Sequence, residues 1–113
     1  MRKIPEIDEF IQLFNQQKFF EAHEVLELVW RKEKQKGSSA DLKFQNFCQG
    51  LIQIAASLVH VQKNNPEGAR RVFHSALNYL QQSSSETYGI ALEQLIQDTE
   101  KCLDHSKSFP QID

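Results

Sequence analysis

The sequence predicts an all-α protein, a single domain over residues 1–113 folded as a compact bundle of about five antiparallel helices. Apolar residues recur at intervals of three and four along most of the chain, which is the period of an amphipathic helix. No segment alternates apolar and polar residues over the length of a strand. Only 4 glycines and 3 prolines interrupt the 113 residues, which is few for a fold of many short strands.

Helix-breaking residues divide the chain into five predicted helices, joined by short connections that favour antiparallel neighbours. Asn65, Pro66 and Glu67 predict the start of the fourth helix, because they combine a capping side chain, a proline suited to the first turn and a negative charge at the positive end of the dipole. The third helix is expected to be central and mostly buried. The predicted helices start near Pro5 and then cover residues 18–34, 41–63, 66–80 and about 88–105.

The net charge and the number of cysteines indicate which classes of protein and which partners can be expected. Lys plus Arg number 13 and Asp plus Glu 15, which gives a formal net charge of −2. Because binding to nucleic acid depends on neutralising phosphates, no nucleic-acid partner is expected. Cys48 and Cys102 are too few for a disulfide scaffold of this size, and the N-terminus lacks the apolar run of a signal peptide. We therefore expect a cytoplasmic protein.

Residues 44–62 carry no formal charge and are long enough to raise the question of a membrane span. They include six amide or imidazole side chains: Gln45, Asn46, Gln49, Gln53, His60 and Gln62. Each of these groups would need a hydrogen-bonding partner in lipid, and leaving them unpaired there is costly. The segment is therefore interpreted as a core helix, and no membrane partner is expected.

Two polar stripes on neighbouring predicted helices suggest a functional site. On the second helix, His23 lies one turn from Glu27 and beside Trp30, with Glu24 further round. On the third helix, Gln49, Gln53, Ala56 and His60 form one continuous stripe opposite the apolar face. A solvated face normally carries Lys and Glu, so a stripe of amides and an imidazole indicates burial. Buried amides need partners.

These residues predict a polar cluster in which His23, Glu24 and Glu27 face Gln49, Gln53 and His60, with Trp30 as a wall. A small polar ligand filling the space beside Ala56 is one interpretation. The alternative is a self-satisfied network that only fixes the packing of the helices. A third is a metal held by two histidines and one or two carboxylates. Glu27 stands where a zincin-like motif needs a second His, and no metal is assigned.

Four basic residues lie on either side of Glu33 at the end of the second helix. They are Arg31, Lys32, Lys34 and Lys36. We expect this segment, residues 31–36, to be a solvated helix end. Arg70, Arg71 and His74 are likewise interpreted as a solvated face. No glycine-rich phosphate loop and no nucleophile motif is present in the sequence.

The strings of the first four predicted helices together resemble the domain-of-unknown-function family 309, a family of small all-helical proteins. They are Phe14-Asn15, residues 19–27, Trp30-Arg31, residues 49–53, Ala55-Ala56, His60, Asn65 and Gly68-Ala69. The resemblance implies a helical bundle without a known cofactor and brings no established activity. It carries over as signature positions His23, Glu24, Glu27, Trp30, Gln49, Gly50, Gln53 and His60.

The sequence thus predicts a small binding or interaction module that recognises a small polar ligand, with His23, Glu24, Glu27, Trp30, Gln49, Gln53 and His60 as ligand-binding residues. No cofactor is expected. An acid/base or metal-assisted enzyme, hydrolase-like and using the same cluster, remains an alternative. So does a purely structural polar network in the subunit of a homo-oligomer.

Overall fold

The fold is described from a computed structural model over residues 4–105 and 108–113, without the side chain of His105. Within these residues the regular structure is entirely helical, which confirms the predicted all-α class. The α-helices are α1 (Pro5–Asn15), α2 (Phe19–Lys34), α3 (Leu42–Gln62), α4 (Pro66–Gln81) and α5 (Leu92–His105), with a short 3₁₀ turn at Gly37–Ser39 between α2 and α3.

Side chains cap the N-termini of helices α3 and α4. Asp41 Oδ1 accepts a hydrogen bond of 3.0 Å from the backbone N–H of Phe44 at the start of α3. Asn65 Oδ1 accepts one of 3.1 Å from the N–H of Gly68, and Pro66 occupies the first turn of α4. Both caps satisfy backbone donors that have no partner inside the helix. The predicted start of α4 is therefore confirmed.

The start of α5 differs from the expectation. The sequence placed it near Tyr88, but the helix begins at Leu92. Tyr88 and Gly89 have φ of 53° and 84°, a left-handed conformation that interrupts a right-handed helix. The Tyr88 ring packs 5.7 Å from Phe44 and 5.6 Å from Phe47, so a tertiary contact accompanies the irregular backbone.

Helix α3 lies at the centre of the bundle, as predicted, and packs most extensively against α4 and α2. Its apolar face joins an aromatic core to which α1 and α2 contribute, with the Phe14 and Phe19 rings 5.0 Å apart in an edge-to-face arrangement. Gly50 on α3 brings the helix close to Leu80 on α4, because a Cβ at Gly50 would lie 2.3 Å from Leu80 Cδ2. Helix α5 packs more lightly, against α3 and α4.

The uncharged stretch at residues 44–62 raised the question of whether one of the helices spans a membrane. Among the residues that the structure describes, no helix combines the length and the apolar character needed to cross a membrane.

The C-terminal segment folds back onto the beginning of the chain. Asn15 Nδ2 donates to the carbonyl oxygen of Ile112, and the N–H of Ile112 donates to Asn15 Oδ1, both at 2.7 Å. The Phe109 ring lies 5.3 Å from that of Phe19. Since Ile112 is buried, the segment at 108–113 closes part of the core.

The end of α2 is not the fully solvated segment that its basic residues predicted. Glu33 is only 3% exposed. Its Oε2 accepts a hydrogen bond of 2.8 Å from the N–H of Asp41, and Lys36 Nζ lies 3.0 Å from its Oε1. A buried carboxylate requires such partners, and here they tie the end of α2 to the start of α3.

Candidate functional site

The imidazole of His23 is fixed on α2 by contacts with its own helix. Its Nδ1 donates to the carbonyl oxygen of Phe20, and its Nε2 lies 3.2 Å from Oε1 of Glu27. The Phe20 ring packs 5.0 Å from the imidazole. Since both ring nitrogens face acceptors, only the doubly protonated ring donates to both.

Glu27 lies at the middle of a short polar chain along α2. Its Oε2 accepts a hydrogen bond of 3.2 Å from Arg31, one turn further along. The side chain of Glu27 is 36% exposed, while that of His23 is 17% exposed. The predicted pairing of His23 with Glu27 is therefore present, and the carboxylate remains reachable from solvent.

Trp30 occupies the next turn of the same edge of α2. It is partly buried and packs against the hydrophobic core. The Nζ of Lys34 lies 4.8 Å from the centroid of its ring, a distance typical of a cation–π contact. An indole held in this way offers a rigid apolar surface beside the polar chain.

The stripe on α3 is half-buried rather than fully buried, and this holds for each of Gln49, Gln53, Ala56 and His60. Gln53 differs from the other members in one respect. Its Oε1 is shielded from solvent and accepts no hydrogen bond from any residue that the structure describes. Such an atom is uncommon, because buried polar groups are nearly always paired.

The relative placement of the two stripes follows from the contacts at the ends of α2 and α3. Gln62 Nε2 donates to the carbonyl oxygen of Gln17 at 2.9 Å near one end of the antiparallel pair, and the N–H of Asp41 donates to Glu33 Oε2 at 2.8 Å near the other. With a rise of about 1.5 Å per residue, these two bonds place Glu27 level with residues 47–52 of α3. They place His23 level with residues 51–56, a range that includes Gln53.

His60 participates in the turn between α3 and α4. Asn65 Oδ1 accepts from the N–H of Gly68, which fixes the orientation of the amide and directs Nδ2 to within 3.1 Å of His60 Nδ1. His60 Nδ1 is therefore the acceptor, and in the neutral ring the proton is on Nε2. His60 is about 10 Å from Gln53 along the helix, so the structure separates it from the middle of the stripe.

Glu24 faces a different part of the surface. It is exposed and lines a groove between α1 and α2, together with Glu27 and residues of α1. In the described part of the chain, no hydrogen bond joins Glu24, His23 or Glu27 to a side chain of the α3 stripe. Among the described residues, Glu27 and Gln53 are therefore not joined by a hydrogen bond.

The described residues contain no group of three or more His, Cys, Asp or Glu side chains arranged to hold a metal ion. The His23 and Glu27 pair offers one imidazole and one carboxylate. What this pair can do is accept and donate hydrogen bonds, or relay a proton over a distance of 3.2 Å.

Sequence reasoning identified Glu27 as a partner of His23, but it did not identify Phe20 as the second partner of His23 or Asn65 as the partner of His60. The aromatic ring and the carbonyl group of Phe20 hold His23, and the spacing of three residues was the available signal. Asn65 was recognised as a helix cap, but its second role as partner of His60 depends on the geometry of the turn.

Comparison with known proteins gives two matches. A family model described as "Domain of unknown function (DUF309)" matches residues 7–72, which is more than half of the chain. The chain is also similar to the "Uncharacterized protein YpuF" of Bacillus subtilis (strain 168), with 31% identity over 75 residues. That alignment covers 66% of this chain and 40% of the relative, so the chain corresponds to less than half of that protein.

Proposed function

Since the chain belongs to the DUF309 family, whose description assigns no activity, we propose from its own geometry that it is a binding module for a small polar ligand. The site is the face formed by His23 and Glu27 on α2 and Gln53 on α3. The ligand carries an N–H or O–H donor. Trp30 and Gln49 lie at one end of this face, and His60 lies towards the other.

The observation that carries the proposal is the unpaired oxygen of Gln53. A buried acceptor without a partner costs about 1–3 kcal/mol of stability, and Gln53 Oε1 is such an acceptor. A purely structural network satisfies its members, whereas Gln53 Oε1 has no partner among the described residues. Because this oxygen is shielded from solvent, a ligand N–H or O–H reaches it only when the half-buried Gln53 side chain turns outward, and the hydrogen bond then recovers this cost.

The carboxylate of Glu27 supplies the second anchor point. The bonds at the two ends of α2 and α3 support a position within about two turns of Gln53 along the helices. The Glu27 side chain is 36% exposed and is therefore accessible to a ligand. His23 and Arg31 hold it from both sides along α2, so little conformational freedom is lost when a ligand binds to it.

Side-chain amide and indole signals in ¹H–¹⁵N NMR spectra test the proposal. The probes are acetamide, urea, an alkylammonium ion and a simple sugar, each titrated into the full chain. We expect at least one of these donor classes to shift the Gln53 amide and the Trp30 indole signals in a saturable way. The shift of the Trp30 indole signal should disappear in Gln53→Leu, and both shifts should persist in Gln97→Leu, which changes an exposed glutamine on α5. Absence of any saturable shift at Gln53 would overturn the proposal.

A further inference from the structure

A groove between α1 and α2 lies outside the face assigned to the small ligand, apart from Glu27 at its border. We refer to it as the α1–α2 groove. It has a volume of about 440 Å³. Its apolar lining comes from Leu13 on α1 and from Val25 and Leu28 on α2, and Leu28 is 55% exposed. An apolar side chain this open on a helix packed into a bundle is available for contact with a partner.

A second exposed apolar side chain lies on α2 beyond the groove. Phe20 is 54% exposed and lies two turns before Leu28, with Glu24 between them at intervals of four residues. Residues at this spacing share one face of a helix. The face from Phe20 to Leu28 is about 12 Å long, which matches two to three turns of another helix.

The rim of the groove is acidic. Glu9 on α1 and Glu21 and Glu24 on α2 line it, and none of the three forms an ion pair with any residue that the structure describes. Glu21 and Glu24 are three residues apart, a spacing at which like charges repel. Arg31, the cation at this rim, is bound to Glu27. A cationic partner would therefore relieve repulsion as well as bury apolar surface.

We infer that the α1–α2 groove binds a basic amphipathic helix of another protein. The partner's apolar side chains pack against Leu13, Val25 and Leu28, and its Lys or Arg side chains lie beside Glu9, Glu21 and Glu24. Charge complementarity determines this occupant. A symmetric contact with a second copy of the chain would bring the same carboxylates against each other, which is unfavourable.

The contact is expected to be weak and reversible, because the area offered by two to three helical turns is below that of a stable complex. The probe is a synthetic Leu/Lys peptide of about 14 residues, or four turns, with Leu at helical spacing. A scrambled peptide of the same composition, which cannot form an apolar face, is the matched control. Binding is measured by fluorescence anisotropy with the full chain at low and at physiological salt.

Two variants separate groove binding from general attraction between opposite charges. Glu24→Lys reverses one rim charge, and Glu93→Lys makes the same change at an exposed position on α5. We expect Glu24→Lys to weaken binding about tenfold and Glu93→Lys to leave the dissociation constant within about twofold. Leu28→Ala should weaken binding at both salt concentrations, because it removes apolar contact. Circular dichroism melts verify that each variant is folded.

Any of three binding results would overturn the inference. They are no saturable binding of the amphipathic peptide, equal binding of the scrambled peptide, or equal losses in Glu24→Lys and Glu93→Lys. A dimer in light scattering that Leu28→Ala dissociates would also overturn it, since the groove would then hold a second copy. The result is independent of the proposed small-ligand site, which Gln53→Leu tests and Glu24→Lys does not.

Discussion

Asn15 and Ile112 form a reciprocal pair of hydrogen bonds between the end of α1 and the last residues of the chain, with both bonds 2.7 Å long. The side-chain amide of Asn15 thus pairs with the backbone N–H and C=O groups of Ile112, as the backbone of a neighbouring β-strand does. Although the two residues are 97 positions apart, this contact joins the end of α1 to the segment at 108–113.

Asn15→Ala removes both hydrogen bonds and should release the C-terminal segment. We expect a loss of about 1–2 kcal/mol in the free energy of unfolding, together with faster hydrogen exchange at the Ile112 amide. Gln16→Ala, at the exposed neighbouring position, is the control. Unchanged exchange at Ile112 in Asn15→Ala would show that burial of Ile112 alone holds the segment.

Glu33 should be the carboxylate whose neutralisation most affects folding. Glu33→Gln keeps the size of the side chain but removes the charge that binds Lys36 and the N–H of Asp41. We expect a loss of about 2 kcal/mol or more in urea unfolding. Glu24→Gln, an exposed change on the same helix, should leave the midpoint nearly unchanged. Equal stability of the two variants would contradict the role assigned to Glu33.

Gly50 should resist even the smallest substitution. In Gly50→Ala the new Cβ would lie 2.3 Å from Leu80 Cδ2 and 2.4 Å from its Cγ, so α3 and α4 must move apart or Leu80 must shift. We expect a loss of about 1–3 kcal/mol. A double-mutant cycle with Leu80→Ala should give a favourable coupling energy, because the second change removes the clash. Additive losses would place the cost elsewhere.

Cys102 should make stability sensitive to alkaline pH. Burial raises the pKa of the Cys102 thiol, so the folded state favours the neutral form. The unfolded thiol ionises at lower pH, and stability therefore decreases as the pH rises from about 8 to about 10. The stability difference between the wild type and Cys102→Ala should shrink over this range. A constant difference would mean that the thiol titrates alike in both states.

Most of the fold could be predicted from the sequence, because the helical elements depend on local signals. The apolar spacing of α1 to α4 and the Asn65, Pro66 and Glu67 start are visible in single segments. The start of α5 could not be predicted, since the left-handed backbone at Tyr88 accompanies packing on Phe44 and Phe47 from another helix. The pairing of Asn15 with Ile112 has no local signal at all.

The candidate site could be predicted in part for the same reason. His23 and Glu27 are one turn apart on one helix, so spacing alone predicts their contact. The prediction that Glu33 lies in a solvated helix end was wrong, because its partners lie in the loop that follows. The pattern of charges in the sequence does not indicate the path of that loop. That Gln53 Oε1 has no partner depends on the packing around it, which a pattern of residues cannot give.

The stability of Gln53→Leu in the absence of ligand tests the central claim most directly. Gln49→Leu is the matched control, since Gln49 lies one turn earlier on the same half-buried stripe and has no unpaired buried atom. If Gln53 Oε1 is kept unpaired for a ligand, Gln53→Leu should be at least as stable as the wild type in urea unfolding. Gln53→Leu should also be more stable than Gln49→Leu. A loss of about 1 kcal/mol or more specific to Gln53→Leu would mean that its amide bonds within the chain, and would contradict the ligand site.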